Sequence, residues 1–222
     1  MVARAYKYTT FEHADEIRLL AFTGEQRFNG KPEIRISHAR LSSKPIYRAL
    51  SYAWGDGLVR VPVSCNGGDT VKVTVNCRSA LWALRRDDSV TPLWIDSICI
   101  DQENIRERSH QVGIMQDIYR EAKKVQAYLG ESLNSSSIAM KFLARSFTDS
   151  ILGSDDIDAL NIPIERLPVP LPDAIDKLLQ REWFKRQWVL QEIHMAKYAE
   201  VLCGTLKIPW KALKMVTTLK QE

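Results

Sequence analysis

Apolar positions recur through residues 16 to 22 (Glu-Ile-Arg-Leu-Leu-Ala-Phe) and 33 to 41 (Glu-Ile-Arg-Ile-Ser-His-Ala-Arg-Leu), partly alternating, with Gly24 and Asn29-Gly30 between them. Alternation flanking turn formers predicts an N-terminal β-hairpin. Tyr47 to Trp54 reads as a short strand that stops at Gly55-Asp56-Gly57, where positive φ is permitted. Val59, Val61 and Val63, then Asn66-Gly67-Gly68-Asp69, then Val71, Val73 and Val75 predict a second hairpin at period 2. Asn76 is positioned to cap a following helix whose Ala80, Leu81 and Leu84 form one stripe, with an end expected near Asp87-Asp88.

Thr91 to Ile100 opens as an apolar run suited to a buried strand, interrupted by Asp96 and followed by Asp101-Gln102. Asn104-Ile105-Arg106-Glu107 fits a capping box, and Ile105, Arg108, Val112, Met115, Tyr119, Ala122 and Val125 fall at helical spacing. Val125 to Leu129 is then a strand closed by Gly130. Strand, helix and strand in that order predict an α/β fold, a central mostly parallel sheet flanked by helices behind the N-terminal β-hairpins. Residues 131 to 180 change character, with a polar stretch at Ser132 to Ser137 and prolines 163, 168, 170 and 172, and read as a helical and loop insertion with one helix near 138 to 147. Helical signals return at Asp173. Over Trp183 to Lys197 they place Val189, Ile193 and Ala196 on one face and Trp188, Glu192 and Met195 on another. A last strand, Glu200 to Cys203, ends at Gly204 before a terminal helix from Trp210.

The 222 residues carry 31 Lys plus Arg against 27 Asp plus Glu, a net +4, with 45% hydrophobic residues. This is ordinary globular composition for one domain over 1–222. No apolar stretch approaches the roughly 18 residues of a membrane span, and the first residues lack a signal core, so a soluble cytoplasmic protein without membrane association is expected. Cys65, Cys77, Cys99 and Cys203 form no C-x-x-C pair and show no zinc-ligand spacing, which argues against a disulfide scaffold and against a metal site. The positive charge is dispersed, so there is no strong nucleic-acid signal, and no phosphate-binding glycine loop is present.

Three groups could carry chemistry. Ser51, Tyr52, Trp54, Gly55 and Asp56 end the first core strand, where α/β sheets bind ligands, although a turn around a packed tryptophan would use the same residues. Asp96 and Asp101-Gln102 put carboxylates in and after a strand that wants burial, and such groups are either perturbed functional acids or acceptors for loop and helix amides. In Arg181 to Glu192, Trp188 and Glu192 are i and i+4, with Lys185 and Arg186 one turn before. An aromatic platform, an acid and cations suit a nucleotide. The competing reading makes Trp183, Phe184 and Trp188 core and pairs Glu192 with Lys185 or Lys197 at the surface. Cys99 with His110 is a weaker thiol and imidazole candidate.

Tyr47-Arg48-Ala49-Leu50-Ser51-Tyr52-Ala53-Trp54-Gly55, then Leu93 to Gln102 with Glu107-Arg108, Gln111-Val112, Met115, Ile118-Tyr119, Ala122 and Leu129-Gly130, then Arg181 to Glu192 with Leu202-Cys203-Gly204, resemble the fungal heterokaryon incompatibility (HET) domain. The resemblance spans about residues 16 to 213, with 131–180 as the variable part, and implies a cell-death effector that acts when unlike fungal cells fuse. It implies the N-terminal effector part of a longer protein, and the end at Lys220-Gln221-Glu222 within a helical segment agrees with that expectation.

HET domains are considered similar in fold to TIR domains, so the resemblance implies a TIR-like sheet and, as in many TIR domains, NAD cleavage at the nicotinamide ribosyl bond. Trp188-Val189-Leu190-Gln191-Glu192 fits the W-x-x-x-E-like setting of the TIR catalytic glutamate, which assigns catalysis to Glu192. On this reading Ser51, Tyr52, Trp54, Gly55, Asp96, Asp101, Gln102, Arg108, Arg186 and Trp188 bind substrate, with Trp54 or Trp188 stacked on a ring and Arg108 or Arg186 facing phosphates. No cofactor is implied, NAD or a related nucleotide being the substrate. Self-association and a regulatory or sensor partner are the expected interactions. The alternative is a non-enzymatic adaptor that self-associates and kills through partners.

Overall fold

The computed structural model describes residues 4–23, 33–88, 90–152, 168–187 and 189–219. Its strands are β1 (Arg4–Ala5), β2 (Glu16–Thr23), β3 (Glu33–Arg40), β4 (Arg48–Tyr52), β5 (Arg60–Cys65), β6 (Asp69–Thr74), β7 (Leu93–Trp94), β8 (Lys124–Tyr128), β9 (Ala199–Cys203) and β10 (Leu206–Pro209). The helices are α1 (Val75–Asp87), α2 (Asp96–Cys99), α3 (Ile105–Glu121), α4 (Asn134–Leu152), α5 (Leu171–Leu179), α6 (Val189–His194) and α7 (Trp210–Leu219). The strands form one sheet in the order β1-β6-β5-β3-β2-β7-β4-β8-β9-β10. Pairing is parallel through β7, β4, β8 and β9, and antiparallel within the β2/β3, β5/β6 and β9/β10 hairpins. The expected α/β architecture is therefore present, as a mixed sheet. No helix among the described residues is long and apolar enough to cross a membrane.

Strand β4 is buried along its whole length and sorts its side chains by the two-residue period. Tyr47, just before it, donates its hydroxyl to the Ile118 carbonyl of α3, and Ser51 reaches α6 on that same face. Arg48 and Tyr52 point the other way, Arg48 toward Asp87 and Asp88 at the end of α1, and Tyr52 to Ser97, which in turn contacts Cys77 of α1. Helices thus cover both faces of the parallel strands, which explains why β4 and β8 carry no solvent-facing alternation.

Several local expectations change. Thr74, not Asn76, caps α1 by accepting from the Cys77 amide, because the extended residue before the helix is Thr74. Asn76 instead donates to the Ala53 carbonyl. The run 91–100 is not one strand: after Leu93–Trp94 the chain turns into the single turn α2. Ile95, Ile98 and Cys99 are all buried at i, i+3 and i+4, and the Cys99 amide closes on the Ile95 carbonyl at 2.7 Å. Asn104 caps α3 as expected, but Glu107 leaves the capping box to bind Arg18 and the Asp101 amide.

In 131–180 the helix near 138–147 is the centre of the longer α4, and α5 begins at Leu171, two residues ahead of Asp173. Much of the proline stretch, and the turn holding Gly24 and Asn29-Gly30, lie outside the described residues. The helix expected across Trp183 to Lys197 is a 3-10 turn at Glu182–Lys185, an extended Arg186 and the six-residue α6. Strand β10 carries too short an apolar pattern to have been anticipated. The turn at Gly204 folds it back on β9.

Candidate functional site

The carboxyl ends of β4 and β7 open into a cleft of about 990 Å³. Its floor is the segment Ala53 to Asp56 after β4 and Asp96 after β7, and its sides come from α3, through Val112, Gly113, Met115, Gln116 and Tyr119, and from Glu182, Arg186 and Glu192. Gly55 makes the sharp exit from β4 at φ +71, and a Cβ there would lie 2.6 Å from the Asn76 amide nitrogen. The left-handed backbone calls for glycine at this lip, and a side chain there would also displace Asn76.

Glu192 is 3% exposed. It is held by the Ser51 hydroxyl, which donates to Oε2, and by Arg186, whose Nη2 stands 3.4 Å from Oε1. Ser51 in turn accepts from the Trp183 indole at 2.8 Å. Arg186 Nη1 is buried and has no hydrogen-bond partner among the described residues, a donor for which a bound ligand could supply the acceptor.

On the floor of the cleft the half-buried Asp96 accepts from the Trp54 indole at 3.0 Å and from the Ser97 amide at 2.7 Å. Burial pushes its carboxyl up to about 6, against the pull of Arg186 and with the help of Glu192. Tyr119 stacks edge-on to Trp94 at 5.5 Å and donates to the Leu50 carbonyl. Burial raises its phenol well above the usual range, so it remains a neutral donor.

Of the candidate residues named from sequence, Trp54, Gly55, Asp56, Asp96, Arg186 and Glu192 meet on this cleft. Ser51, Tyr52 and Gln102 stand behind it: Ser51 and Tyr52 are buried, and Gln102 donates to the Asp96 carbonyl. Asp101 accepts from the Glu103 amide and Arg108 donates to the Gln102 carbonyl, and neither lines the cleft. Trp188 lies outside the described residues. The surface pairing of Glu192 with Lys185 or Lys197 is replaced: those lysines pair with Glu182 and Glu121. Cys99 does not meet His110, which contacts the Ala14 carbonyl, and burial pushes the thiol up to about 12.

Sequence reasoning missed the part played by α3. Val112, Met115 and Tyr119 were visible as a stripe, but a stripe does not say whether it faces core or cleft; Gly113 and Gln116 gave no signal at all. The hydrogen bond from Trp183 to Ser51 joins residues 132 positions apart and has no local trace. No group of three or more His, Cys, Asp or Glu among the described residues is placed to hold a metal ion.

No solved structure matches this chain. Heterokaryon incompatibility protein 6, OR allele, of Neurospora crassa is 31% identical over 216 residues, covering 81% of this chain and 32% of the relative, so the chain spans about a third of that protein. The family model described as heterokaryon incompatibility protein (HET) matches residues 47–192, which run from the strand that floors the cleft to the carboxylate on its wall. With that match across more than half of its length, the chain belongs to the HET family.

Proposed function

We propose that this domain is a cell-death effector of fungal heterokaryon incompatibility that cleaves NAD, or a closely related nucleotide, at the nicotinamide ribosyl bond. The observation that carries the reading is the Glu192 carboxylate, fixed on two sides at the wall of a large cleft that Trp54 and Tyr119 also line. The parallel strands support it as well. In order of appearance β4, β7, β8 and β9 are first to fourth, and their spatial order is 2-1-3-4, that of flavodoxin-like doubly wound sheets, where ligands bind beyond the strand ends at the switch point. A TIR-like fold is in keeping with this order.

The chemistry follows from the groups present. The nicotinamide of NAD is a cationic ring, which aromatic walls and carboxylates attract. When the bond breaks, its electron pair passes to the ring nitrogen, and positive charge builds on the ribose. Glu192 stabilises that oxocarbenium-like centre, water adds to the same carbon, and its proton leaves to solvent or to Asp96. Arg186, next to the carboxylate, orients a ribose hydroxyl or the carboxamide through Nη1, which has no partner among the described residues. Regulation by a partner or sensor region is part of the proposal, since the relative extends well beyond the matched third.

The test is nicotinamide release from NAD by concentrated protein, with and without a fused oligomerising tag, against folded Glu192→Gln. Release by the parent that falls about a hundredfold or more in the variant is expected. No release in any assembled form would overturn the enzymatic reading. The adaptor reading draws on Ile105 and Val112 of α3, whose apolar side chains are 68% and 52% exposed, a surface suited to self-association. It predicts that Glu192→Gln keeps its toxicity.

A further inference from the structure

Ser51 and Trp183 lie behind the cleft wall, each only 1% exposed, yet both are tied to its carboxylate. An indole N–H can only donate, and a hydroxyl has one proton to give. Because Trp183 already fills an acceptor position on Ser51, at 2.8 Å, the Ser51 proton is directed onto Glu192 Oε2. The chain of donors therefore runs one way, from the 3-10 turn through the central strand to α6, and each bond polarises the next. Oε2 thereby takes the Ser51 proton, while Oε1, which accepts from Arg186 Nη2 at 3.4 Å, keeps a second acceptor position for a ligand.

The need for such a tether follows from the element that carries Glu192. Helix α6 is six residues long, about a turn and a half, too short to hold its own conformation. It is also preceded by extended backbone at Arg186. We propose that Ser51 and Trp183 are positioning residues, which fix the Glu192 carboxylate in one orientation with Oε1 presented to the cleft. The proposal rests on the reading of Glu192 as the reactive carboxylate, but the tether itself can be tested without any turnover.

The probe is the indole N–H spectrum of ¹⁵N-tryptophan-labelled protein, in which Trp183→Phe identifies the Trp183 signal among the six tryptophans. Glu192→Gln alters the charge at the end of the relay and should move the Trp183 resonance. In the Ser51→Ala background the same change should leave it in place. If Glu192→Gln does not move the signal, or moves it equally with and without the Ser51 hydroxyl, the tether is overturned. In the release assay Ser51→Ala and Trp183→Phe should each lower kcat by about tenfold or more with KM within about twofold, the mark of a misplaced group rather than lost binding. Unchanged kcat in both folded variants would also overturn it. A parent that shows the coupling but releases no nicotinamide would reject the NAD reading and leave the tether standing.

Discussion

At the scale of single residues, Asp96 is the group whose surroundings make the sharpest prediction. Its carboxyl is raised from 3.8 to about 6, chiefly by burial. The native chain therefore keeps a proton that the unfolded chain has already lost. The contribution of this group to stability is full below 3.8 and declines as the pH rises through about 6. Trp54 reports the change directly, because its indole donates to Asp96 Oδ2. Its N–H resonance should titrate with a midpoint near 6, and Asp96→Asn should abolish that titration. A flat Trp54 signal between pH 4 and 8 would remove Asp96 as the titrating group of the cleft.

At the scale of elements, the hairpins and helices were legible wherever a period survived intact, and misread wherever one residue served two partners. Glu107 sits three places after the Asn104 cap, as a capping box requires, but its carboxylate goes to Arg18, 89 residues away. The strand expected through 91–100 failed because Ile95, Ile98 and Cys99 satisfy helical burial as well as they satisfy an apolar run. Gly204, foreseen only as a strand end, makes the β9/β10 turn at φ +57 with a Cβ position 2.9 Å from the Ser132 backbone nitrogen. Gly204→Ala should therefore cost more than the about 1–2 kcal/mol that left-handed backbone alone imposes on an L side chain. Urea denaturation measures it, and a loss below that figure would mean that the 131–133 segment yields easily.

At the scale of the whole molecule, the antiparallel flank and the parallel core are joined by a buried ion pair. Arg18 of β2 is wholly buried and binds both oxygens of Glu107 on α3, at 2.5 and 3.1 Å, while also donating to the Cys99 carbonyl at 3.0 Å. Its guanidinium lies over Phe11 and Tyr8, at 4.1 and 4.8 Å from the ring centres. Removing one partner strands a charge in the interior, so Glu107→Ala should lower the free energy of unfolding by about 3–5 kcal/mol. A loss of under 1 kcal/mol in equilibrium denaturation would show that Arg18 is solvated after all. The same pair draws α3 toward the sheet, and α3 is a wall of the cleft.

Sequence alone determined the α/β order of elements, both early hairpins, the HET resemblance and the blocks that α3 meets at the cleft, because periodicity and short motifs are properties of neighbouring residues. Which faces of those blocks met was decided only by the tertiary structure. Ser51 and Tyr52 are adjacent in sequence yet serve opposite faces of the sheet, one tying down Glu192 and the other reaching Ser97. Asp96 and Asp101 looked equivalent, and only Asp96 lines the cleft. The physical reason is common to each case: a side chain's direction and its partner depend on how strands register and helices dock, and contacts across 141 residues, such as that of Ser51 with Glu192, leave no local pattern to read.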